Sequence, residues 1–185
     1  MSKVWGLLIT ATFLIITGLG VIFFPASVGA TGTVYSMTNS ANFNARFDGP
    51  LANGFLAYTQ RNLSTIDLNR DGTPELLVAP EVSNYGGNNS GTIWVIDGKS
   101  VTNGTFNLAT TSNFSFRIDG EAAGARLGFS GLTKSVCDLN GNGKPDLVMG
   151  AYAETVRSKG SVYVIYDDII DRFFCGWSNV IFNVK

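Results

Sequence analysis

The sequence contains two similar segments that begin at Asn42 and Asn113, 71 residues apart. This internal repeat limits the folds that the chain can adopt. The segment NFNARFDGPLANGFLAYTQRNLSTIDLNRDGTPELLVAP, residues 42–80, aligns without a gap to NFSFRIDGEAAGARLGFSGLTKSVCDLNGNGKPDLVMGA, residues 113–151. Downstream, GTIWVID matches GSVYVIY at an offset of 69, so only a connecting loop differs in length. A fixed period of this size is typical of architectures in which each repeat packs on the next.

Each repeat contains four short runs of β-forming residues separated by Gly, Asn and Asp. Four strands per repeat is the pattern of a β-propeller blade. The predicted strands are Leu56–Ile66, Glu75–Ala79, Thr92–Asp97 and Phe114–Ile118 in the first repeat, and Leu127–Cys137, Asp146–Gly150, Ser161–Tyr166 and Asn179–Val184 in the second.

Half a repeat precedes these two. Thr33–Met37 and Phe43–Phe47 match the third and fourth strands of a unit whose first two strands are missing. We therefore expect an all-β chain, a partial β-propeller of two four-stranded antiparallel blades plus half a blade, preceded by an N-terminal hydrophobic helix. The repeats fall at about 42–112 and 113–185.

Composition narrows the chemistry available to the chain. It has a formal net charge of −1 and 15% charged residues, so no basic excess points to nucleic acid. Histidine is absent, which removes the commonest general base and the commonest zinc ligand. Cys137 and Cys175 are too few for a disulfide scaffold, and they fit one disulfide bond or two free thiols equally well. We expect neither an enzyme nor a nucleic-acid-binding protein.

The first thirty residues have the composition of an export segment. Lys3 precedes the uncharged stretch VWGLLITATFLIITGLGVIFF, residues 4–24, and the small residues of PASVGA follow it. This order predicts signal-peptidase cleavage and a mature start near Thr31. A stretch of 21 residues is also long enough to cross a bilayer as a hydrophobic helix. Residues 1–30 are therefore either a signal peptide or a membrane anchor, and both predict that residues 31–185 are secreted or displayed at the cell surface.

Both repeats place an acidic loop between their first and second predicted strands. The loops are DLNRDGTPE, residues 67–75, and DLNGNGKPD, residues 138–146. Side-chain oxygens fall at positions one, three, five and nine, glycine at position six supplies a sharp turn, and the carbonyl of position seven adds an oxygen. Calcium takes about six to eight oxygen ligands, so each loop is predicted to bind one Ca²⁺. The predicted ligands are Asp67, Asn69, Asp71, Thr73 and Glu75 in the first loop, and Asp138, Asn140, Asn142, Lys144 and Asp146 in the second, with Thr73 and Lys144 acting through their carbonyls.

Two alternatives compete with this interpretation. An EF-hand shares the opening spacing but requires a Glu at position twelve and flanking helices. Position twelve is Val78 in one loop and Met149 in the other, inside strand-like runs, so the EF-hand does not fit. The second alternative is that Asp-Gly and Asn-Gly only mark hairpin turns. Two loops in register, each with a carboxylate at position nine, favour metal binding over turns alone.

The combined motif resembles the FG-GAP repeat of integrin α subunits. In the second repeat, Gly128-Phe129 stands at the FG element and Gly150-Ala151-Tyr152 where the family has Gly-Ala-Pro. The first repeat departs from both elements, with Ala57-Tyr58 and Val78-Ala79-Pro80, but has the more acidic loop. The resemblance implies a calcium-bearing extracellular propeller used for adhesion or ligand binding, which in the family has seven blades.

Three functions are consistent with these features. The first is an extracellular calcium-binding adhesion or ligand-binding module that presents its loops to a protein or glycan. The others are an accessory propeller segment of a secreted hydrolase and a calcium-stabilised structural or self-assembling protein. Because two and a half blades leave an open flank, we expect either further blades in a longer chain or edge-to-edge association between copies.

The two loops differ in charge. The first carries three carboxylates, whereas the second carries two and has Lys144 beside them. Calcium affinity rises with the number of charged ligands, so the first loop is predicted to be the tighter site.

Overall fold

A computed structural model describes residues 14–17, 20–23, 36–132, 136–152, 159–174 and 180–183 of the chain. The chain divides into two compact units, Met1–Thr38 and Asn39–Lys185.

The described part of the N-terminal unit is a β-hairpin. Strand β1, Leu14–Thr17, pairs antiparallel with β2, Gly20–Phe23. These residues were expected to belong to a hydrophobic helix, and that expectation is not met. The two strands are rich in β-branched Ile, Val and Thr, which favour extended backbone. No helix in the described ranges has both the length and the apolar character needed to cross a membrane.

The larger unit is mostly β-structure, as the sequence predicts, with one α-helix and four short 3₁₀-helices among its described residues. The strands are β3 (Ala45–Asp48), β4 (Leu63–Ile66), β5 (Glu75–Val78), β6 (Thr92–Ile96), β7 (Gly104–Asn107), β8 (Phe116–Asp119), β9 (Val136–Cys137), β10 (Asp146–Ala151), β11 (Ser161–Ile165) and β12 (Val180–Asn183). The helix α1 is Asp167–Phe174, and the 3₁₀-helices are Ser40–Asn42, Gln60–Asn62, Gly98–Ser100 and Thr111–Asn113.

The first repeat forms the four-stranded antiparallel arrangement that was predicted. Strands β4, β5, β6 and β8 are neighbours in that order within a five-stranded sheet. Leu77 of β5 lies opposite Val95, and Ile93 of β6 lies opposite Ile118. The first acidic loop connects β4 to β5, at the position that the sequence assigned to it.

The second repeat forms a sheet of three described strands, β9, β10 and β11. Its fourth strand was predicted at Asn179–Val184, and this prediction is wrong. Residues Val180–Asn183 form β12, which pairs parallel with β8 and extends the sheet of the first repeat. The helix α1 follows β11, and β12 then pairs with the sheet of the first repeat instead of with β11.

Strand β12 has a counterpart that the sequence analysis missed. Strand β7, Gly104–Asn107, pairs parallel with β3, just as β12 pairs parallel with β8. Because β3 and β8 are equivalent in the repeat, each repeat places an extra strand beside the fourth strand of the preceding unit. The β-forming residues Thr105 and Phe106 are the signal that could have indicated β7.

The first strand of each repeat is shorter than predicted. Leu56 makes only an isolated bridge to Pro80, and β4 begins at Leu63. Phe55 and Ala57 have positive φ angles of 49° and 54°, which interrupt the extended backbone.

The half repeat is also reduced in the structure. Strand β3 confirms most of the predicted Phe43–Phe47 strand. In the other predicted strand, Thr33–Met37, residues 33–35 lie outside the described residues, and Ser36 and Met37 are not in a strand.

Two apolar clusters cover opposite faces of the first-repeat sheet. One, the inter-repeat cluster, joins Leu77, Ile93 and Val95 to residues of the second repeat that include Leu147 and Met149. The other, the β3-side cluster, joins Val78, Trp94, Ile96, Leu108 and Phe114, with Phe47 of β3 packed against them. All five residues of β6 are buried, so this strand is the centre of the unit.

The two repeats approach each other closely at Gly91. Its φ is +80°, it forms a parallel bridge with Leu127, and a Cβ on Gly91 would clash with the backbone of Leu127. The Leu127 N–H donates to the carbonyl of Ser90 at 2.9 Å. Glycine is therefore required here both for conformation and for space.

We predict that Gly91→Ala lowers the free energy of unfolding by about 1–3 kcal/mol, the range for overpacked sites. Gly150→Ala is the matched control, because a Cβ at Gly150 would meet no atom within 4 Å, and its effect should stay within about 0.5 kcal/mol. Urea denaturation of both variants measures the difference. Equal losses would show that the close approach at Leu127 does not limit stability.

Candidate metal centre

The first acidic loop is closed by side chains that accept backbone hydrogen bonds. Asp67 accepts from the N–H of Asp71 and of Gly72, both at 2.9 Å. Asn69 Oδ1 also accepts from the N–H of Asp71 at 2.9 Å. Gly72 has a φ of +88°, a conformation that glycine adopts without strain. Positions one, three and six therefore shape the backbone of the loop.

Three carboxylates converge beside this loop. Asp71, Glu75 and Asp97 each offer one oxygen, and these oxygens lie within 4.8 Å of one another. Asp71 and Glu75 were predicted ligands, whereas Asp97, the residue after β6, was not. Within the described ranges, no other group of three Asp, Glu, Cys or His side chains converges so closely.

Glu75 is the buried member of this cluster. Its side chain is fully buried, and Oε2 accepts from the N–H of Leu68 at 2.6 Å. The second oxygen, Oε1, is buried without any hydrogen-bond partner. The pKa of Glu75 is raised to about 7, mainly by burial and to a smaller extent by the nearby charges of Asp97 and Asp71. A buried carboxylate oxygen without a donor indicates a position suited to a cation.

Lys99 contributes a positive charge at the edge of the cluster. Its Nζ lies 2.9 Å from Asp71 Oδ2 and donates to the Asp71 carbonyl at 3.2 Å. The hydrogen bond from Lys99 holds the pKa of Asp71 below its usual value. The ammonium group does not bond to Glu75 Oε1, so it neutralises only part of the cluster's charge.

The second loop repeats the backbone geometry of the first. Asp138 accepts from the N–H of Asn142 at 3.0 Å and of Gly143 at 2.8 Å. Asp146, at position nine, accepts from the N–H of Leu139 at 2.8 Å, as Glu75 does from Leu68. The two loops are therefore equivalent, as the repeat predicts.

The carboxylates of the second loop, unlike Glu75, are satisfied by groups of the chain itself. Asp146 Oδ1 accepts from the N–H of Asp167 at 3.1 Å. Asp167 accepts from Asn142 Nδ2 at 2.6 Å and from Asn140 Nδ2 at 3.3 Å, and its Oδ2 lies 2.9 Å from Lys144 Nζ. The hydrogen bond from Lys144 is the main reason that the pKa of Asp167 falls to about 2. The Lys144 ammonium group therefore already neutralises the carboxylate that a bound cation would otherwise neutralise.

Asp171 connects the two loops. Its Oδ2 lies 3.6 Å from Arg70 Nη2 in the first loop and 3.4 Å from Lys144 Nζ in the second. Both loops therefore lie on the same side of the unit, as expected of equivalent connections in neighbouring sheets. The helix α1, which carries Asp171, was not predicted from the sequence.

The sequence analysis predicted both loops but did not identify Asp97 and Asp167, the carboxylates that lie beside them. Asp97 follows the third strand of the first repeat, and Asp167 follows the third strand of the second. At the offset of 69 residues, the two aspartates differ by one position in the alignment. An acidic residue directly after that strand in both repeats is the signal that could have indicated them. Among the predicted ligands, Asp71 and Glu75 are brought together, while Asp67 faces the amides of its own loop.

We predict that metal-free protein becomes less stable as the pH rises from about 4.5 to about 7. Glu75 has a folded-state pKa raised to about 7, so the folded state binds a proton more tightly than the unfolded chain in this window. One such group changes the free energy of unfolding by at most about 1.4 kcal/mol per pH unit. Urea denaturation in a chelator between pH 5 and pH 8 measures the slope, and Glu75→Gln should flatten it. An unchanged slope in that variant would assign the effect to other groups.

Comparison with protein-family models gives two matches, to the FG-GAP repeat over residues 134–165 and to an FG-GAP-like repeat over residues 67–149. The second match spans both acidic loops, and the first covers β9, β10 and β11. Comparisons with curated proteins and with solved structures give no match. With two equivalent aspartate loops and two overlapping family matches, this chain is an FG-GAP repeat protein across residues 67–165.

Proposed function

We propose that this protein is a calcium-binding, propeller-type module that acts outside the cytoplasm by binding a protein or glycan. The observation that carries the calcium assignment is the buried, unpartnered Oε1 of Glu75 beside Asp71 and Asp97. Burying an ionised carboxylate without a partner is costly, and a divalent cation at this position would remove that cost.

The donor set fits calcium better than a transition metal. All three converging groups are carboxylates, and calcium prefers oxygen ligands, whereas zinc and copper favour nitrogen and sulfur. Asp71, Glu75 and Asp97 would hold the ion, with Asn69 and the carbonyl of Thr73 as the further oxygens expected from the loop sequence. Lys99 is exposed to solvent over half of its side chain, so it can leave Asp71 when the ion binds.

The first loop is proposed as the principal site and the second as a weak one. Four acidic residues surround the first loop, counting Asp97, and Oε1 of Glu75 has no hydrogen-bond partner there. In the second loop, binding would have to displace Lys144 from Asp167 and break the amide hydrogen bonds to that carboxylate. The role of this second site is structural support.

A cleft between the repeats supports the ligand-binding part of the proposal. It has a volume of about 300 Å³, and its lining includes Tyr58, Arg61, Glu81 and Phe129. Tyr58 is 63% exposed at its rim. Aromatic faces beside charged groups of both signs suit a glycan or a peptide. FG-GAP repeat proteins are typically extracellular, which agrees with the proposed export through residues 1–30. The proposed role is binding and not catalysis.

Exchanging the position-nine carboxylate in each loop tests the calcium assignment. Without calcium at pH 8, Glu75→Gln should raise the melting temperature, because it removes a buried charge with an unpartnered oxygen. Asp146→Asn should lower it, because Asp146 accepts hydrogen bonds from Leu139 and Asp167. At about tenfold excess of free calcium over its dissociation constant, the unmodified protein should gain roughly 1.4 kcal/mol from one site.

Only Glu75→Gln should abolish most of that calcium-dependent gain. Calorimetric titration of calcium into each variant provides the direct measurement. Full calcium binding by Glu75→Gln, or none by the unmodified protein, would reject the proposed site.

A further inference from the structure

The outer strand of the second repeat has an edge without a neighbouring strand. In the first repeat, β6 lies between β5 and β8. Its counterpart β11 pairs with β10 on one side, and no described strand pairs with it on the other. Unpaired strand edges are templates for pairing with another chain.

The outward face of β11 is apolar and exposed. Val162 is 71% exposed and Val164 is 41% exposed, whereas their first-repeat counterparts Ile93 and Val95 are fully buried. Val164 lies opposite Val148 of β10, so the two strands present a continuous apolar face. The same face of the first repeat is covered by the second repeat, which shows what kind of surface this face is built to contact.

At the other end of the unit, β3 is a copy of the strand that completes the first-repeat sheet. It corresponds to β8 at the offset of 71, and Arg46 bonds to Asp48 at 2.8 Å just as Arg117 bonds to Asp119 at 2.8 Å. Each strand has a parallel neighbour on one side, β7 or β12. The difference is that β8 also pairs with β6, whereas β3 pairs with no second strand among the described residues.

We propose that copies of this chain associate head to tail, with β3 of one copy adding antiparallel to the edge of β11 that lies opposite β10 in the next. The first repeat supplies the register, because Thr92 lies opposite Asp119 and Trp94 opposite Arg117. Transferred by the repeat offsets, this register sets Ser161 opposite Asp48, Val162 opposite Phe47, Tyr163 opposite Arg46 and Val164 opposite Ala45.

The chemistry of the transferred pairs matches that of the existing ones. In the first repeat, the Thr92 hydroxyl donates to Asp119 Oδ1 at 2.9 Å inside the sheet. Ser161 provides a hydroxyl facing Asp48 at the equivalent position. The ion pair of Asp48 with Arg46 is already formed in the single chain, so little side-chain ordering remains for association. A second copy is favoured over an unrelated partner because this chain itself carries the matching strand.

Association would also bury the outward face. Within one chain, β3 packs through Phe47 on the first-repeat sheet. An added β3 therefore brings the first repeat of its own copy against Val162 and Val164, as the second repeat lies against Ile93 and Val95. Burial of this apolar face would supply the driving force.

In this arrangement the described residues of each copy contribute two blades. One blade is the first repeat, and the other is the second repeat completed by the next copy's β3. A head-to-tail interface closes into a ring or continues as a filament. Closed propellers typically have four to eight blades, which corresponds to rings of about two to four copies. This assembly goes beyond the proposed calcium function and does not depend on it.

Disulfide trapping tests the register directly. Gly120 donates a backbone hydrogen bond to Gly91 at 3.0 Å, so the next pair, Thr92 and Asp119, is of the non-hydrogen-bonded type, with Cα atoms about 4.5 Å apart. The equivalent pair between copies is Ser161 and Asp48, and this spacing suits a disulfide. Full-length Asp48→Cys and Ser161→Cys variants, each also carrying Cys137→Ser and Cys175→Ser, are mixed in mild detergent with oxidised glutathione.

The mixture should give a disulfide-linked dimer of the two variants in at least tenfold excess over the control. The control replaces Asp48→Cys by Thr105→Cys on β7, an exposed strand position away from the proposed contact. No cross-linked dimer, or equal yields from the two mixtures, would overturn the proposal.

A second measurement does not depend on cysteine chemistry. Light scattering coupled to size exclusion should show two or more copies for the unmodified full chain and one copy for Val162→Lys. Thr105→Lys is the matched control, because Thr105 is exposed on β7, which pairs with the edge of β3 opposite to the proposed contact, and it should leave the size unchanged. A monomeric unmodified chain, or a Val162→Lys variant that keeps its size, would overturn the assembly.

Discussion

The packing of one repeat on the next is the constraint on which the rest of this structure depends. A four-stranded sheet of this kind has two apolar faces, and neither repeat can cover both alone. Strand β6 is buried throughout because Ile93 and Val95 face the second repeat, while Trp94 and Ile96 face the β3 side. Each fully buried side chain of this size contributes about 1.5–3 kcal/mol. Gly91 allows this approach, because its contact with Leu127 leaves no room for a side chain.

The acidic loops add an electrostatic cost that the apolar packing must offset. Both loops direct a position-nine carboxylate towards the interior, where it accepts the N–H of position two. In the second loop the remaining charge is neutralised within the chain, through Lys144 and the neighbouring amides. In the first loop Glu75 keeps a bare oxygen, and burial raises its pKa to about 7. The same backbone frame therefore carries one self-neutralised loop and one loop whose buried carboxylate oxygen has no hydrogen-bond partner.

The sequence was sufficient for features that repeat and insufficient for features that do not. The four strands of the first repeat and both loops follow from the 71-residue offset, since two aligned copies make β-periodicity and loop spacing unambiguous. Strand β7 and helix α1 were not predicted, because the two repeats differ in sequence at these positions. Gly104–Asn107 has no similar sequence at the equivalent position of the second repeat. Asp97 and Asp167 were missed for a related reason. An acidic residue follows the third strand of each repeat, but its closeness to the loop between the first two strands is recognised only after the strands are placed side by side.

The sequence predicted β12 in the sheet of the second repeat, but the strand pairs with β8 of the first. Similarity between repeats therefore predicts that a strand forms but not which edge it joins. A strand with a suitable sequence pairs with whichever edge the preceding chain segment brings it to, because ladder hydrogen bonds do not depend on side-chain identity. The helix α1 packs Ile170 in the inter-repeat cluster and directs Asp171 towards both acidic loops. Strand β12, which follows it in sequence, lies at the edge of β8, so the edge of β11 opposite β10 has no neighbouring strand among those described. Adding a strand to the preceding sheet thus strengthens the junction between the repeats while leaving the outer edge of the second repeat open.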